Sequence, residues 1–520
     1  MSLLTPSQQN IHVPVLRLHR DVFLSIIKLN ADMFSDPSYP TALSNTRFAS
    51  QVCRDWRDMI LEAPSLWAKL IDLDNFVYFK DHWWHTVLKR SGNASLWIRA
   101  TSQIHQARKS VRQKIYGFLF SVLDKHWGRV EELIVCIAVR KLKPQLWRSI
   151  SIYRPAPRLQ VFDVDFDGIP TGAPSTLTSN TLFADDAPLL HTIHLADIKF
   201  NPQATWATNI RSIHIGPPFT LLEMLSAFKM MPQLEDIRVE HVQSPTSDKE
   251  EVDRRQLVNL PYLTNLRLFC DFKSGISFLE NITHARGCFL TFDTFGNWEQ
   301  GPFRPLSKVA LDYFTTRVPT SIALNVSPYG FSIEDKTDNL GPFQRFSIHI
   351  KFGHLRLTTP ATGPIVAGFT FPTPVFQFVT QLYLPSLTCS PSETDFHAFF
   401  RSLPAVTTLI ANEQVIGDFL NMQKETSDIL FPLLEVVKLD ILNITYFRGS
   451  SGYLFQFLLA RRDLAHPISV LDLREVNSDV APSLTFLEEL TGMQVLWRRW
   501  GVDDDFKYEC GSGNPEMLPF

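Results

Sequence analysis

One short apolar pattern recurs along most of the chain and constrains the fold more than any other feature. An apolar residue is followed three and five positions later by two more, so that the last two alternate with other residues as in a strand with one buried face. Several copies carry a proline two positions before their first apolar residue, as in Met231-Pro-Gln-Leu234. The copies are Val130/Leu133/Val135, Leu159/Phe162/Val164, Leu190/Ile193/Leu195, Ile210/Ile213/Ile215, Leu234/Ile237/Val239, Leu263/Leu266/Leu268, Phe352/Leu355/Leu357, Val379/Leu382/Leu384, Val406/Leu409/Ala411, Leu434/Val437/Leu439 and Ile468/Leu471/Leu473.

The spacing of these copies predicts a repeat protein. Most begin roughly 20 to 34 residues apart, and the interval between Leu263 and Phe352 leaves room for about three divergent copies. Residues 219–230 and 395–403 have helical periodicity and would close units between strands. One unit cannot bury its apolar face alone, whereas stacked units bury a continuous core. We therefore predict an irregular leucine-rich-repeat α/β solenoid, with an ordinary α/β domain of many buried strands as the alternative.

The segment before the array predicts a small helical module. Leu18, Val22, Phe23, Ile26 and Ile27 recur at helical spacing. A proline-containing loop follows, and then a second helix whose apolar side chains share one face and which ends before Pro64. That second set is Phe48, Val52, Trp56 and either Met59 or Ile60. By periodicity alone, these helices are equally compatible with a separate module and with the start of the repeat array.

Three stretches in this module resemble the F-box-like domain of fungal, particularly basidiomycete, F-box proteins. They are residues 18–27, the segment Gln51-Val-Cys-Arg-Asp-Trp-Arg-Asp58, and Ala63-Pro-Ser-Leu-Trp67. The resemblance covers roughly residues 14–73. This sequence has Leu18-His19 where the family has Leu-Pro, and its loop between the first two helices is longer.

The resemblance implies docking onto the Skp adaptor of a cullin–RING ubiquitin ligase. Nine residues match the positions that form the adaptor contact and the core beneath it: Leu18, Val22, Phe23, Ile26, Val52, Cys53, Trp56, Leu66 and Trp67. The expected function is that of a substrate-recognition adaptor, in which the helices hold the ligase and the array holds a target protein. The alternative is a protein-interaction scaffold, outside any ligase, with a degenerate F-box.

Composition narrows the class of protein further. The net charge of -3 gives no basic excess for phosphate backbones, so we expect no nucleic-acid partner. The six cysteines form no Cys-x-x-Cys pair, which favours reduced thiols in a cytoplasmic or nuclear protein and argues against a zinc site. No secretory signal and no long apolar run is visible, so we expect no membrane partner.

The motifs that imitate reactive or metal-binding sites are incomplete. Asp163, Asp165 and Asp167 resemble the start of a calcium loop, but the twelfth position is Pro174. The pairs His82/His85 and His191/His194 have no third ligand nearby in sequence, and we expect Trp83 and Trp84 to pack the joint between module and array. Phosphate loops and nucleophile elbows are not recognisable. We expect no catalytic residue, cofactor or metal, although a site assembled in space escapes such a search.

These observations divide the chain into five expected segments. Residues 1–13 form a disordered N-terminus, 14–73 the all-α F-box-like module and 74–126 a helical linker or cap. Residues 127–500 form the degenerate repeat array, and 501–520 a polar tail.

Overall fold

The protein is represented by a computed structural model. The structure describes residues 18–31, 33, 41–78, 81–101, 104, 106–136, 151–165, 181–195, 199–217, 219–241, 257–294, 303–327, 329–337, 345–352, 362–371, 374–387, 394–426, 429–439, 452–476, 484–498 and 504–518.

Helices and strands alternate along the described residues. The helices are α1 (Arg20–Asn30), α2 (Ala42–Ala49), α3 (Arg54–Leu61), α4 (Pro64–Trp67), α5 (Leu73–Phe76), α6 (Asp81–Arg90), α7 (Lys109–His126), α8 (Leu221–Lys229), α9 (Phe272–Glu280), α10 (Arg304–Arg317), α11 (Thr362–Ala367), α12 (Thr394–Arg401), α13 (Glu413–Thr426) and α14 (Tyr453–Asp463). The strands are β1 (Ile71–Asp72), β2 (Leu96–Ala100), β3 (Val130–Cys136), β4 (Val161–Asp165), β5 (Thr192–Leu195), β6 (Ser212–Ile215), β7 (Asp236–Glu240), β8 (Val258–Asn259), β9 (Asn265–Cys270), β10 (Ile282–Thr283), β11 (Phe289–Thr294), β12 (Ser321–Ser327), β13 (Gly330–Asp335), β14 (Ser347–Lys351), β15 (Gln381–Leu384), β16 (Thr408–Ala411), β17 (Val436–Leu439), β18 (Val470–Asp472), β19 (Gln494–Arg498) and β20 (Asp505–Glu509).

The chain forms two compact units, Met1–Leu234 and Glu235–Phe520. In the first unit, β1 to β6 pair in chain order and all in parallel. Their register aligns one buried row, Leu133, Phe162, Ile193 and Ile213. Consecutive parallel strands need a crossover connection, and among the described connections α7, between β2 and β3, contributes buried side chains such as Leu119 and Val122.

The second unit contains a longer, mostly parallel sheet. Its strand order is β7, β9, β11, β14, β13, β12, β15, β16, β17, β18, β19 and β20, and the short strands β8 and β10 pair separately. From β15 to β19 the pairing is again parallel and in chain order, with a buried row of Leu382, Leu409, Val437, Leu471 and Val495. The predicted α/β class is therefore confirmed.

The apolar pattern marks strands as predicted. In ten of the eleven copies the second and third apolar residues lie in or next to a strand and are buried, from Leu133 and Val135 in β3 to Leu471 and Leu473 at β18. In the remaining copy only Phe352 is described, directly after β14, and Leu355 and Leu357 lie outside the described residues. The helical stretches predicted at 219–230 and 395–403 correspond to α8 and α12.

A tight turn precedes many of these strands. The amide of the first apolar residue donates to the carbonyl three residues earlier, as from Leu263 to Leu260 at 3.1 Å and from Leu434 to Phe431 at 3.0 Å. Proline occupies the second position of these two turns, where its fixed φ suits a turn. A hydroxyl after the turn then donates to a backbone carbonyl of the preceding repeat, as from Thr407 Oγ1 to Thr380 O at 3.3 Å. These side-chain bonds add to the backbone bonds between adjacent units.

Three predicted segments differ from the structure. The linker at 74–126 is not wholly helical, because β2 already pairs with β3 inside the sheet. The interval from 263 to 352 does not hold three simple repeats, because β13 lies antiparallel between β12 and β14. The polar tail is folded over residues 504–518, where β20 pairs antiparallel with β19 and Tyr508 is buried. The expected disordered segment 1–13 lies outside the described residues.

Candidate partner-binding face of the N-terminal helices

Side chains close the N-termini of the first three helices in the module. The ring of His19 accepts a hydrogen bond from the Asp21 amide at 3.4 Å, so α1 begins with a cap where the F-box family has proline. Thr41 caps α2 by accepting from the Ser44 amide at 3.4 Å. Cys53 caps α3, because its sulfur accepts from the amide of Trp56 at 3.5 Å. His19 and Cys53, two of the residues noted in the resemblance to the F-box, thus each cap the helix that follows them.

The interior of the module is built around aromatic side chains. Phe23 of α1 is buried and packs against Trp56 of α3, with ring centroids 4.6 Å apart. The indole of the fully buried Trp67 donates to the carbonyl of Ile60 at 2.8 Å, which ties α4 to the end of α3. The guanidinium of Arg90 lies 4.5 Å from the Trp67 ring, and burial lowers the pKa of this arginine. This interior holds the outer face of α1 in place.

The outer face of α1 carries an exposed apolar stripe, made of Val22, Ile26 and Leu29, and the exposed Leu18 lies just before the helix. Val22, Ile26 and Leu29 are 49%, 41% and 78% exposed, and Leu18 is 39% exposed. The spacing of four and three residues aligns the first three along one side of the helix. Apolar side chains scattered singly over a surface are ordinary, whereas three aligned on one helix are typical of a surface that a partner covers.

The segment from α2 to α3 exposes two further apolar side chains. Phe48 near the end of α2 is 53% exposed and Val52 before α3 is 63% exposed. Val52 follows a turn in which its amide donates to the Ala49 carbonyl at 3.3 Å. Its exposure is consistent with a contact residue rather than a core residue.

The structure divides the nine predicted site residues into three groups. Leu18, Val22, Ile26 and Val52 are exposed and available to a partner. Phe23, Leu66 and Trp67 are almost completely buried and form part of the predicted core beneath the contact face. Cys53 and Trp56 are half-buried. Sequence reasoning missed Leu29 as a site residue, although it continues the same helical spacing from Val22 and Ile26.

Aromatic contacts fasten the module to the helices that follow. Trp83 of α6 lies between two guanidinium groups, 4.6 Å from Arg47 of α2 and 6.0 Å from Arg90. Trp84 is buried and stacks on Phe76 at 5.5 Å. Trp83 thus packs against the module and Trp84 against the helices that follow it, and a joint with the repeat array stays a prediction. The module does not depend on an outside partner to cover this side.

A buried carboxyl group lies at the end of the module. Burial and, to a smaller extent, the neighbouring Asp74 together raise the pKa of Asp72 to about 6, although Arg99 opposes both effects. Asp72 accepts hydrogen bonds from the amides of Asp74 and Asn75 at 3.1 and 3.4 Å and so caps α5. The Arg99 guanidinium also donates to the carbonyl of Met33.

The other candidates from the sequence are distributed over separate elements. His82 and His85 lie on α6, and the His85 ring packs edge-on against Phe118 at 5.4 Å. Asp163 and Asp165 lie in β4, but the rest of the calcium-like loop lies outside the described residues. Among the described residues, histidine, cysteine and carboxylate side chains form no cluster of three that could hold a metal ion.

No protein-family model and no curated protein matches this chain. Of the helices in the described part of the chain, none combines the length and apolar character needed to cross a membrane.

Proposed function

We propose that the protein is the substrate-recognition adaptor of a Skp–cullin–F-box ubiquitin ligase. The observation that carries the proposal is the aligned apolar stripe on α1, within the segment that resembles an F-box. A short helical module that exposes such a stripe presents what a helical partner needs, namely anchors at i, i+4 and i+7 over a rigid interior. The capped start of α1 at His19 supports this reading, because the helix forms without the family's proline.

The rest of the chain would serve as the target-binding part. Units of parallel strands in chain order, most of them introduced by a similar tight turn, support a leucine-rich-repeat array. The face of the sheet opposite the core carries half-buried side chains such as Tyr383, Ile410 and Lys438 in one row from β15 to β17. Mixed aromatic, apolar and charged side chains on a rigid sheet suit the recognition of another protein.

Catalysis in this proposal comes from proximity alone. A target held near a loaded conjugating enzyme reacts at a raised effective concentration, so the chain needs no reactive residue for ubiquitin transfer. We place this role in the cytoplasm, the nucleus or both, with the Skp adaptor, the cullin complex and one or more target proteins as partners.

The test is binding of the purified protein to a recombinant Skp adaptor. We expect the double variant Val22→Glu/Ile26→Glu to weaken binding by at least about 10-fold, because two charges replace half-exposed anchors at the contact. The matched control is Leu222→Glu, which changes an equally exposed leucine on α8, far along the chain from the module. Binding would be measured by calorimetry or surface plasmon resonance.

Two results would contradict the proposal. If the wild-type protein does not bind the adaptor, the alternative of a non-ligase interaction scaffold is favoured. If the double variant binds as tightly as the Leu222→Glu control, the stripe is not the docking surface. If neither result is obtained, proximity labelling with and without proteasome inhibition would identify the targets. It would compare cells that carry the wild type with cells that carry the Val22→Glu/Ile26→Glu variant.

A further inference from the structure

Three neighbouring strands of the first unit join an acid, an imidazole and a hydroxyl into one chain of contacts. His194 in β5 lies opposite Asp163 in β4, and its Nδ1 is 3.0 Å from Asp163 Oδ2. Its other nitrogen, Nε2, is 3.3 Å from the Oγ of Ser212 in β6. The three residues alternate with buried neighbours such as Phe162, Ile193 and Ile213, so they share the sheet face opposite the core.

The connectivity of these atoms is that of a nucleophile, a base and an orienting acid. In the tautomer whose Nδ1–H donates to the carboxylate of Asp163, the lone pair of His194 Nε2 faces the Ser212 hydroxyl. The side chains of His194 and Asp163 are 26% and 36% exposed, so reactants can reach the face. We propose that Ser212 is an activated nucleophile that accepts acyl groups from esters, an activity separate from the adaptor role.

The proposed step is an acyl transfer in which every atom is accounted for. Ser212 Oγ attacks the ester carbonyl carbon while its proton moves to Nε2 of His194. The tetrahedral adduct then breaks its bond to the alcohol oxygen, which takes the proton from His194 and leaves as the free alcohol. Water repeats the sequence on the acyl-serine, so an acid is released and Ser212 is restored.

The open position of the site sets the class of substrate and the expected speed. Ser212 projects from a sheet face, so the site suits esters whose carbonyl stands clear of the rest of the molecule. The chain of three residues supplies general-base activation, which contributes about 10²- to 10⁴-fold. We therefore expect slow turnover of simple activated esters and stoichiometric reaction with phosphonylating reagents.

The test is labelling of the purified full-length protein with a fluorophosphonate, followed by mass spectrometry of its peptides. The expected result is an adduct on Ser212 that disappears in Ser212→Ala. The His194→Gln variant should slow labelling at least about 10-fold, because it removes the base. Asp163→Asn should slow it by a smaller factor, because that residue only orients and stabilises the imidazole.

Thr192 provides the matched control on the same sheet face. It lies opposite Ser212 in the β5–β6 register, and its Oγ1 is 3.0 Å from Nδ1 of a different imidazole, that of His191. The Thr192→Val variant should be labelled at the wild-type rate, and Thr192 itself should carry no adduct. All variants would be checked for an unchanged circular dichroism spectrum and melting temperature. A folded wild type without a Ser212 adduct, or a His194→Gln variant labelled as fast as wild type, would overturn the proposal.

Discussion

At the scale of single residues, the most unusual side chain is Arg461, which is only 1% exposed. Its guanidinium donates to four backbone carbonyls, those of Leu430 at 2.9 Å, Phe431 at 3.2 Å, Leu434 at 3.5 Å and His466 at 3.1 Å. Burial lowers its pKa to about 10. Phe431 has a left-handed backbone with φ of 53°, so this arginine from α14 holds a strained turn before β17.

Replacement of Arg461 by methionine should therefore destabilise the second unit. We expect a loss of about 2–4 kcal/mol, because the guanidinium's bonds to three buried carbonyls and one half-buried carbonyl are lost while the apolar volume is kept. The control is Arg462→Met at the next position, where the side chain is 47% exposed and the expected change is within about 0.5 kcal/mol. Urea unfolding followed by fluorescence would measure both. Equal midpoints for the two variants would contradict the assigned role.

A second prediction at the same scale concerns pH and Asp72. Its folded pKa of about 6 is above the ordinary value of 3.8, so the folded protein holds this proton more tightly than the unfolded chain. The resulting stabilisation is complete below about pH 4 and is lost as the pH rises through about 6. Asp72→Asn removes the ionisation and keeps an oxygen for the α5 cap.

The variant should therefore gain stability relative to wild type as the pH rises from 5 to 7, by about 1–3 kcal/mol. Thermal unfolding of both proteins across this range measures the difference. Taking the difference removes the contributions of other groups, including Asp418, whose pKa burial also raises to about 6. A difference that stays constant between these pH values would show that Asp72 ionises as easily in the folded state as in the unfolded chain.

At the scale of elements, β20 closes one end of the sheet in the second unit. It pairs antiparallel with β19, and its Asp505 binds Arg474 and Arg498, each at 2.9 Å. Both arginines hold the pKa of Asp505 below its usual range. Lys507 and Glu509 place further charges on this last strand, as is usual where a sheet edge must not pair with another molecule.

Deletion of residues 504–518 should leave β19 as the edge and cause self-association. The backbone groups of β19 that now bond to β20 would be open to pairing with a second molecule. Size-exclusion chromatography with light scattering would reveal a concentration-dependent increase in mass. Lys507→Ser is the control, because it keeps the strand, and it should elute as the wild type does. A deletion variant with the wild-type elution profile would show that β20 does not protect this edge.

The sequence predicted elements best where one face alone is buried. Strands such as β4 and β16 alternate strictly, so their apolar pairs were visible. Strands β12 and β13 were not predicted, because they bury consecutive residues such as Ile322, Ala323 and Leu324 and so do not show the alternation of a strand with one buried face. The need for glycine at position 330, at the start of β13, could not be predicted from the sequence either. A Cβ there would lie 2.6 Å from the carbonyl oxygen of Ile350.

At the scale of the whole molecule, the class of fold followed from the repeated pattern, whereas the sites depended on register. The exposed stripe on α1 could be predicted from helical spacing within one segment. The contacts among Asp163, His194 and Ser212 could not be predicted, because they depend on the register of three paired strands that are separated in sequence. The same holds for three of the carbonyls around Arg461, those of Leu430, Phe431 and Leu434, which lie 31, 30 and 27 residues away in sequence.

The chain-order pairing from β15 to β19 also has a consequence for how such a gene can change. From β16 to β19 each strand pairs with the strands directly before and after it in the chain, and most are preceded by the same tight turn. Duplication or loss of one whole unit in this stretch would recreate the junction that was there before. In the stretch from β11 to β15 the strands pair out of order, so the same event there would leave strands without partners. Relatives of this protein should therefore differ in length within the first stretch and keep the second intact.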